Sequence, residues 1–423
     1  MKWRRRSFGF WLLLALCAVP LRVTAFNRVI SIPNGPVVIF PKTSLGPRDL
    51  GVVVNLIDPE SIRIGRYYET MRHIPPANII HVRFVPDGPD MNVSVFEHLE
   101  SELIQRTPPW VQAYVLTWTR PYRVGCMSIT TAFAMGYDTH FCAATCMPTK
   151  WDPYFNSNSE APYRDFGVRP TMMLAGKSVR AVKALIDRGV ASDGTDPRGT
   201  AYLVSTGDPA RNVRAVEYGV IKRLMRGVIR TRVIHAPGIQ YKRHVLFYFT
   251  GIARVPDLDT NRFAAGAVGD DLTSFGGILD GKTGQTDVLQ WLSAGVTGSY
   301  GTVTEPCSFR TKFPDPGILM TRYVSGESLI EAYWKSVAMP GQGIFVGEPL
   351  ADPFGGYSVE YRHHTLTLST HALPPGRYFV SAGNARHGHY QPVGSVVVHA
   401  GLQKITLTHA YAPFYRLSPS VTR

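Results

Sequence analysis

Short apolar runs alternate with segments of helical apolar spacing along most of this chain. Such an alternation is typical of βαβ units, in which a helix returns the chain to the start of the next parallel strand. The predicted strands are Leu50–Ile57, Asn78–Val85, Val111–Thr117, Thr171–Leu174, Ala201–Ser205, Thr231–His235, Val245–Phe249, Val296–Tyr300 and Gly343–Gly347. The predicted helices are Pro59–Arg72, one capped by Ser94, Ile129–Met135, one capped by Ser178, Val213–Arg226, Asp287–Ala294 and Glu327–Val337. The pattern predicts an α/β fold, a three-layer sandwich with a mostly parallel sheet.

The pattern changes after Phe354, where short runs such as TLTLST and GRYFVSAG alternate apolar and polar residues. Runs of this kind at even spacing predict a small all-β, immunoglobulin-like sandwich over residues 355–423, which leaves 26–354 to the α/β domain. Seven of the 13 histidines lie in this tail. Exposed strand and loop histidines are favoured over a metal site, so no metal is predicted.

An irregular segment of about residues 120–169 interrupts the α/β pattern and holds Cys126, Cys142 and Cys146. One disulfide within this group is favoured, and the fourth cysteine of the predicted mature chain is Cys307. Four cysteines allow three complete pairings, and the sequence does not choose among them.

The N-terminus has the features of a secretion signal. Basic Lys2 and Arg4–Arg6 precede the apolar run Phe8–Val19, and small residues at Val23 and Ala25 fit a cleavage site. Residues 1–25 are therefore predicted to be a cleaved signal peptide. The apolar run is too short to span a bilayer, so we expect a periplasmic or extracellular protein with no stable membrane anchor after cleavage.

The chain carries a net charge of +14, part of which belongs to the predicted signal. The remaining arginines are scattered, which favours a solvated basic surface over a nucleic-acid partner, with attraction to anionic polysaccharide as the alternative. Gly276–Thr283 matches the phosphate-binding pattern GxxxxGK[ST]. We interpret it as a glycine-rich turn, because Asp270 and Asp271 interrupt the strand that should precede it. No cofactor is predicted.

Polar residues follow the predicted strands, and in parallel sheets the carboxyl ends of strands line ligand clefts. Ordinary turn chemistry would place the same residue types there, so the two interpretations compete. The candidate cleft-lining residues are Asp58, Thr117, Arg120, Asp208, Thr250, Asp270, Ser299 and Tyr300.

Four residues of the same region are candidates for catalysis: Asp271, Ser274, Glu305 and Cys307. A cysteine nucleophile needs a histidine to take its proton, and no histidine occurs between His244 and His363. A structural or disulfide-bonded cysteine is therefore favoured. The carboxylates could hold a divalent cation, but solvated or capping roles are favoured for them.

Several segments, among them RPTMMLAG, DDLTSFGG and GVTGSYGTVTEPC, resemble those of an uncharacterised family of exported bacterial proteins. That family occurs in genomes that carry exosortase, the sorting enzyme for PEP-CTERM proteins, often beside exopolysaccharide production. The resemblance spans roughly residues 50–354. It implies an exported location but no established activity.

A weaker resemblance, at the level of the fold, is to gingipain-like cysteine peptidases of the caspase-like class. In those peptidases an apolar strand ends in Gly-His-Gly and the next strand ends in the nucleophilic cysteine. Here Leu246–Phe249 is followed by Thr250 and Gly251 with no histidine, and the nucleophile position falls near Ser274. Gly347-Glu348-Pro349 matches a final Gly-Asp-Pro. The resemblance implies a caspase-like fold in which both dyad positions are altered, so the Cys/His activity is not carried over.

Three hypotheses follow. The first is an exported peptidase-like scaffold without the Cys/His dyad that binds a peptide or polysaccharide of the cell envelope. The second is a hydrolase with a remodelled site. The third is a structural component of exopolysaccharide or surface assembly. Whether the protein is an enzyme stays open at this point.

Overall fold

An α/β part and an all-β part make up this protein, whose computed structural model describes residues 21–23, 29–143 and 146–420. Most of the predicted signal peptide, including its cleavage site after Ala25, lies outside the described residues. Within them, no helix has both the length and the apolar character that a membrane span requires.

The strands are β1 (Leu21–Val23), β2 (Val29–Ser31), β3 (Val37–Ile39), β4 (Leu50–Asn55), β5 (Ile79–Val82), β6 (Asp90–Met91), β7 (Ala113–Leu116), β8 (Arg123–Val124), β9 (Met127–Ser128), β10 (Thr171–Met173), β11 (Thr200–Ser205), β12 (Arg230–His235), β13 (Val245–Thr250), β14 (Phe263–Asp271), β15 (Gly298–Thr302), β16 (Gly343–Gly347), β17 (Tyr357–Arg362), β18 (Thr365–Thr370), β19 (Gly376–Gly383), β20 (Tyr390–Val398), β21 (Gln403–Leu407) and β22 (Phe414–Pro419). The helices are α1 (Pro59–Arg72), α2 (Val93–Arg106), α3 (Ile129–Met135), α4 (Pro162–Phe166), α5 (Val179–Ser192), α6 (Tyr218–Leu224), α7 (Val288–Ala294), α8 (Pro316–Val324) and α9 (Leu329–Trp334). Short 3-10 turns occur at Pro76–Asn78, Thr139–Phe141, Asn212–Glu217, Leu258–Thr260 and Arg310–Lys312.

Ten strands form one large sheet in the order β12-β11-β13-β14-β15-β16-β10-β7-β4-β5. The ladders that join β12, β11, β13, β14 and β15 are parallel, and so are those that join β10, β7, β4 and β5. β16 lies between the two groups, pairs antiparallel with β15 and meets β10 at one pair, Met173 with Val346. The predicted α/β fold with a mostly parallel sheet is confirmed.

The segments that follow strands of both groups meet on one edge of the sheet. Thr304 Oγ1, after β15, donates to the carbonyl of Cys126, after β7, at 3.0 Å. The disulfide Cys146–Cys307 joins the same two segments. We call this the carboxyl edge, and the opposite side the amino edge.

Helices cover both faces of the sheet. α1 and α5 pack on each other, with Tyr67 Oη donating to Asp187 Oδ1 at 2.5 Å. α2 and α3 meet through the rings of Phe96 and Phe133, whose centroids are 5.1 Å apart. The apolar run that predicts β13 is buried along its whole length, as expected for a parallel strand covered on both faces.

Local signals at helix starts explain where several helices begin. Ser178 caps α5 as predicted, its Oγ accepting from the amide of Ala181 at 3.2 Å. The predicted cap at Ser94 is wrong, because Asn92 caps α2 and accepts from the Ser94 amide at 2.9 Å. α8 was not predicted, although Asp315 caps it in the usual manner.

Asp270 and Asp271 do not interrupt a strand, as the sequence interpretation supposed, but end β14. The interpretation is wrong because Arg214 lies 2.6 Å from Asp270 and compensates its charge inside the core. A strand therefore does precede the glycine-rich Gly276–Thr283 loop. However, the next helix begins only at Val288, with Asp287 at its cap, so the loop does not run directly into a helix N-terminus as a phosphate-binding loop does.

The C-terminal residues form a sandwich of two sheets, β1-β17-β18-β21 and β2-β3-β22-β19-β20. The prediction of a β domain after the α/β domain is confirmed. β2 and β3 come from residues 29–39, within the range 26–354 that the sequence analysis assigned to the α/β domain, and β3 pairs parallel with β22. The sandwich has its own core, which includes Ile30, Val38, Leu366 and Leu417.

Candidate functional site

Three of the four predicted catalytic residues lie together at the carboxyl edge. They line a pocket of about 270 Å³ built from the segments that follow β11, β14 and β15. Its lining residues are Cys146, Ala210, Arg211, Leu272, Thr273, Ser274, Glu305, Pro306, Cys307, Ser308 and Phe313. We call it the edge pocket. Because three strand ends meet here, residues far apart in sequence become neighbours, as predicted from the parallel sheet.

Arg211 organises the polar side of the edge pocket. Its Nη1 contacts Asp208 Oδ2 at 3.0 Å, and its Nε donates to Thr273 Oγ1 at 3.1 Å. Thr273 Oγ1 in turn donates to Gln285 Oε1 at 2.8 Å. Sequence reasoning selected Asp208 but missed Arg211 three residues later, although the i,i+3 spacing of opposite charges was a usable signal.

Cys307 is bonded to Cys146, so in the oxidised protein its sulfur is not a thiolate and cannot act as a nucleophile. The side chain of Glu305 is also engaged, since its Oε1 accepts from the Cys307 amide at 2.8 Å. The favoured pairing within the insertion is confirmed by Cys126–Cys142, whose Cα atoms are 5.6 Å apart.

The hydroxyl of Ser274 is not hydrogen-bonded to a general base among the described residues. The Ser274 carbonyl accepts from Thr302 Oγ1 at 2.8 Å, which fixes the backbone at this turn. Within the described part of the chain, its hydroxyl makes no hydrogen bond and no histidine lines the edge pocket. A serine nucleophile needs a neighbouring general base to become reactive, and this arrangement does not supply one.

Asp270 and Asp271 lie beneath the edge pocket rather than in its wall. Asp270 is paired with Arg214, which also donates to the Thr250 carbonyl at 2.7 Å. Asp271 Oδ1 accepts from the Ile252 amide at 2.9 Å, and its Oδ2 has no hydrogen-bond partner among the described residues. Burial raises the pKa of Asp271 to about 8 and that of Asp270 to about 6. At neutral pH Asp271 is therefore mostly a neutral acid.

The other predicted cleft residues do not join this pocket. Thr117, Thr250, Ser299 and Tyr300 are buried and belong to the core. Tyr300 Oη, for example, donates to the Lys312 carbonyl at 2.5 Å.

Asp58 and Arg120 follow β4 and β7, in the other parallel group of the sheet. Asp58 caps α1 by accepting from the Glu60 amide at 2.8 Å, and Arg120 is exposed. Turn and capping chemistry thus accounts for Asp58.

A much larger groove, of about 1080 Å³, lies between the α/β domain and the sandwich. We call it the interdomain groove. Its walls come from the cysteine-containing insertion, from α6 and α8, and from the turn before β19. Sequence reasoning missed it, because no single segment carries its signal and α8 was not predicted.

Arg322 ties one wall of the interdomain groove together. Its guanidinium donates to Asn158 Oδ1 at 2.7 Å and to the Asn156 carbonyl at 2.7 Å. It also pairs with Glu327 at 3.2 Å, and Glu327 contacts Lys335 Nζ at 2.9 Å. This network holds the insertion against α8 and fixes the shape of the wall.

Two carboxyl groups of the groove lie on the helical wall. Glu217 pairs with Arg310, yet burial and the nearby Asp315 charge raise the pKa of Glu217. Asp315 caps α8, accepting from the Gly317 and Ile318 amides at 2.8 and 3.0 Å. Both acids have structural partners.

No family model matches the sequence, and neither does any curated protein. A solved structure named "Structure of Protease" aligns with 89% of this chain and 98% of its own length, at a TM-score of 0.39 and 9% sequence identity. A likeness this low carries no argument about activity.

Proposed function

We propose that this protein is an exported binding protein, a peptidase-like scaffold without a Cys/His dyad that holds a peptide or polysaccharide of the cell envelope in the interdomain groove. The observation that carries the proposal is the position and size of this groove. It is about 1080 Å³, against about 270 Å³ for the edge pocket, and both domains wall it. Ligand sites of soluble proteins occur preferentially at such domain interfaces.

The edge pocket supports the non-catalytic half of the proposal. Cys307 is held in a disulfide, and Thr250 and Gly251 follow Leu246–Phe249 with no histidine where the gingipain-like resemblance implies one. Covalent catalysis needs a nucleophile within hydrogen-bond reach of a base. The pocket brings the right strand ends together but lacks this pair among its described residues.

The chemistry of the interdomain groove fits a neutral polar polymer. Hydroxyl side chains line it at Thr43, Thr321, Ser325 and Ser420. Of the three cations that line it, Lys42, Arg322 and Arg377, two are paired, Arg322 with Glu327 and Lys42 with Asp49. Hydroxyl and amide groups beside charges that are mostly paired within the protein suit the backbone of a peptide or the hydroxyls of a sugar better than a strongly charged ligand.

The test fills the groove without touching its charged network. Thr321→Trp places a large ring in the groove, and Thr406→Trp, at an exposed position of β21, is the matched control. Both variants and the parent are applied to arrays of extended peptides and of purified polysaccharides. We expect the parent and the control to bind members of one array, and Thr321→Trp to lose about tenfold or more in affinity.

A second arm addresses catalysis. Non-reduced parent protein is treated with serine-reactive and thiol-reactive activity probes, and no adduct is expected at Ser274 or Cys307. The proposal is overturned if either residue is labelled stoichiometrically, if the parent binds neither array, or if Thr321→Trp binds as well as the control.

A further inference from the structure

A second groove, of about 620 Å³, lies where the sandwich meets the starts of β11 and β12. Four arginines line it, Arg198, Arg230, Arg232 and Arg243. All four are exposed, and none of them has an ion pair or a side-chain hydrogen bond among the described residues. We call it the basic groove. It contrasts with the interdomain groove, whose Arg322 is fully engaged.

Three of these arginines form a row across the sheet. β12, β11 and β13 are neighbours in that order, and Thr200 of β11 is in register with Arg230 on one side and Val245 on the other. Arg198 and Arg243 come just before these strand starts. Adjacent strands are about 4.8 Å apart, so the row extends over roughly 10 Å of the amino edge.

The floor of the basic groove contains a buried histidine. His371 is 9% exposed, its Nε2 lies 3.0 Å from Asp196 Oδ1, and its Nδ1 is buried without a hydrogen-bond partner in the described residues. Asp196 is the one acid among the described lining residues, and it already faces this imidazole. The arginine charges of the groove are therefore not balanced by its own carboxylates.

We propose that the basic groove binds a linear acidic polysaccharide that carries carboxylate groups. A guanidinium presents parallel N–H donors that match the two oxygens of a carboxylate. A row of separate guanidinium groups matches a ligand whose charges repeat along a chain, and the open volume exceeds what one small anion fills. This site is distinct from the interdomain groove and goes beyond the function proposed for it.

Two other polyanions fit the groove less well. Single-stranded nucleic acid needs exposed aromatic rings on which bases stack, but Tyr202 and Phe354 in this groove are only 5% and 2% exposed. An acidic peptide added to the edge strand β12 would run along that strand and pass Arg230 and Arg232. It would not follow the row toward Arg198 and Arg243.

The test measures binding of the full chain to polygalacturonate, with neutral dextran, poly-glutamate and single-stranded DNA as comparison probes. The groove variant is Arg198→Gln, Arg230→Gln and Arg243→Gln together. The matched control removes the same charge from exposed arginines elsewhere, with Arg66→Gln, Arg83→Gln and Arg180→Gln. We expect the dissociation constant for polygalacturonate to rise about tenfold or more in the groove variant and about twofold or less in the control.

Salt gives an independent readout, because each ion pair that forms on a polyanion releases counterions and steepens the dependence of binding on salt. The slope of log affinity against log salt should fall in the groove variant and stay near the parent value in the control. Equal losses in both variants, no binding of polygalacturonate by the parent, or tighter binding of poly-glutamate or DNA would each overturn the proposal. None of these outcomes depends on Thr321, so the interdomain groove is tested separately.

Discussion

The two edges of the large sheet each hold a buried cluster of charges, and the clusters differ in how completely their acids are paired. At the amino edge, Glu348 receives Arg72 Nε at 3.0 Å, Tyr68 Oη at 2.7 Å and the Leu350 amide at 3.3 Å. Below the edge pocket, Asp271 receives one amide and leaves an oxygen without a partner in the described residues.

This difference indicates different roles for the two clusters. Arg72 at the end of α1 also pairs with Asp193, just after α5, so the amino-edge cluster joins two helices to the end of β16. Both acids contact Arg72 and hold these elements together. The Asp271 cluster instead keeps a neutral acid in the core. Proximity to the predicted catalytic pocket does not make that acid a catalytic group, since it does not line the pocket.

The largest effect is expected at the amino edge. Glu348→Ala leaves Arg72 buried without its Glu348 partner, and removing one partner of a buried ion pair typically costs about 3–5 kcal/mol. The free energy of unfolding in urea measures this loss. Glu60→Ala removes the exposed pair with Arg63, whose atoms are 3.8 Å apart, and should cost about 1 kcal/mol or less. Equal losses for Glu348→Ala and Glu60→Ala would show that the amino-edge cluster does not stabilise the fold more than an exposed ion pair does.

Asp270→Asn tests the ionised half of the other cluster. Arg214 would lose its carboxylate partner while remaining buried, and a cost of about 3 kcal/mol is expected. The paired variant Asp271→Asn replaces an acid that the folded protein must keep protonated near pH 7 with a side chain that never ionises, so it should not lower the free energy of unfolding there and should raise it. A loss for Asp271→Asn as large as that for Asp270→Asn would contradict the assignment of a neutral acid.

The pH dependence of stability gives a second test of whether Asp271 is a neutral acid in the folded protein. Because burial raises the pKa of Asp271 to about 8, the folded protein binds its proton more tightly than the unfolded chain does. Stability from this group is present below about pH 4 and is lost as the pH rises toward 8, by up to about 1.4 kcal/mol per pH unit. Asp270, with a pKa of about 6, contributes little to the slope of stability against pH above pH 6. In that range the free energy of unfolding of Asp271→Asn should therefore fall less steeply with pH than that of the parent.

Other groups titrate in the same range and set the baseline for that measurement. Burial raises the pKa of Asp152 to about 8 and that of Glu100 to about 7. Both the parent and Asp271→Asn should therefore still lose some stability as the pH rises. If the free energy of unfolding of Asp271→Asn fell in parallel with that of the parent between pH 6 and 8, Asp271 would not be a cause of the decline.

Much of the fold could be predicted because its signals are local. The apolar runs predict β13 and β16, and the helix over Ile129–Met135 is found where expected. Burial on both faces makes a parallel strand a continuous apolar run, which is visible in a single sequence.

The site could be predicted only in part, because its determinants are not local. Asp270 looks like a strand breaker until Arg214, from a different βα unit, is placed beside it. The partner of Cys307 is Cys146, 161 residues away. The interdomain groove depends on how the sandwich sits against α8, and periodicity carries no information about that contact.

A smaller effect than that of Glu348→Ala is expected for Tyr68→Phe, which removes one hydroxyl donor from Glu348 and leaves the ring in the core. Two contacts from Arg72 remain on that carboxylate, so the loss should be about 1–2 kcal/mol, typical of a buried hydrogen bond to a charged group. Urea unfolding of Tyr68→Phe, Glu348→Ala and the double variant measures the coupling. If the cluster is one unit, the double variant loses less than the sum of the two single losses, because the hydroxyl has no acceptor once Glu348 is gone. Additive losses would mean that the tyrosine and the ion pair stabilise the amino edge independently.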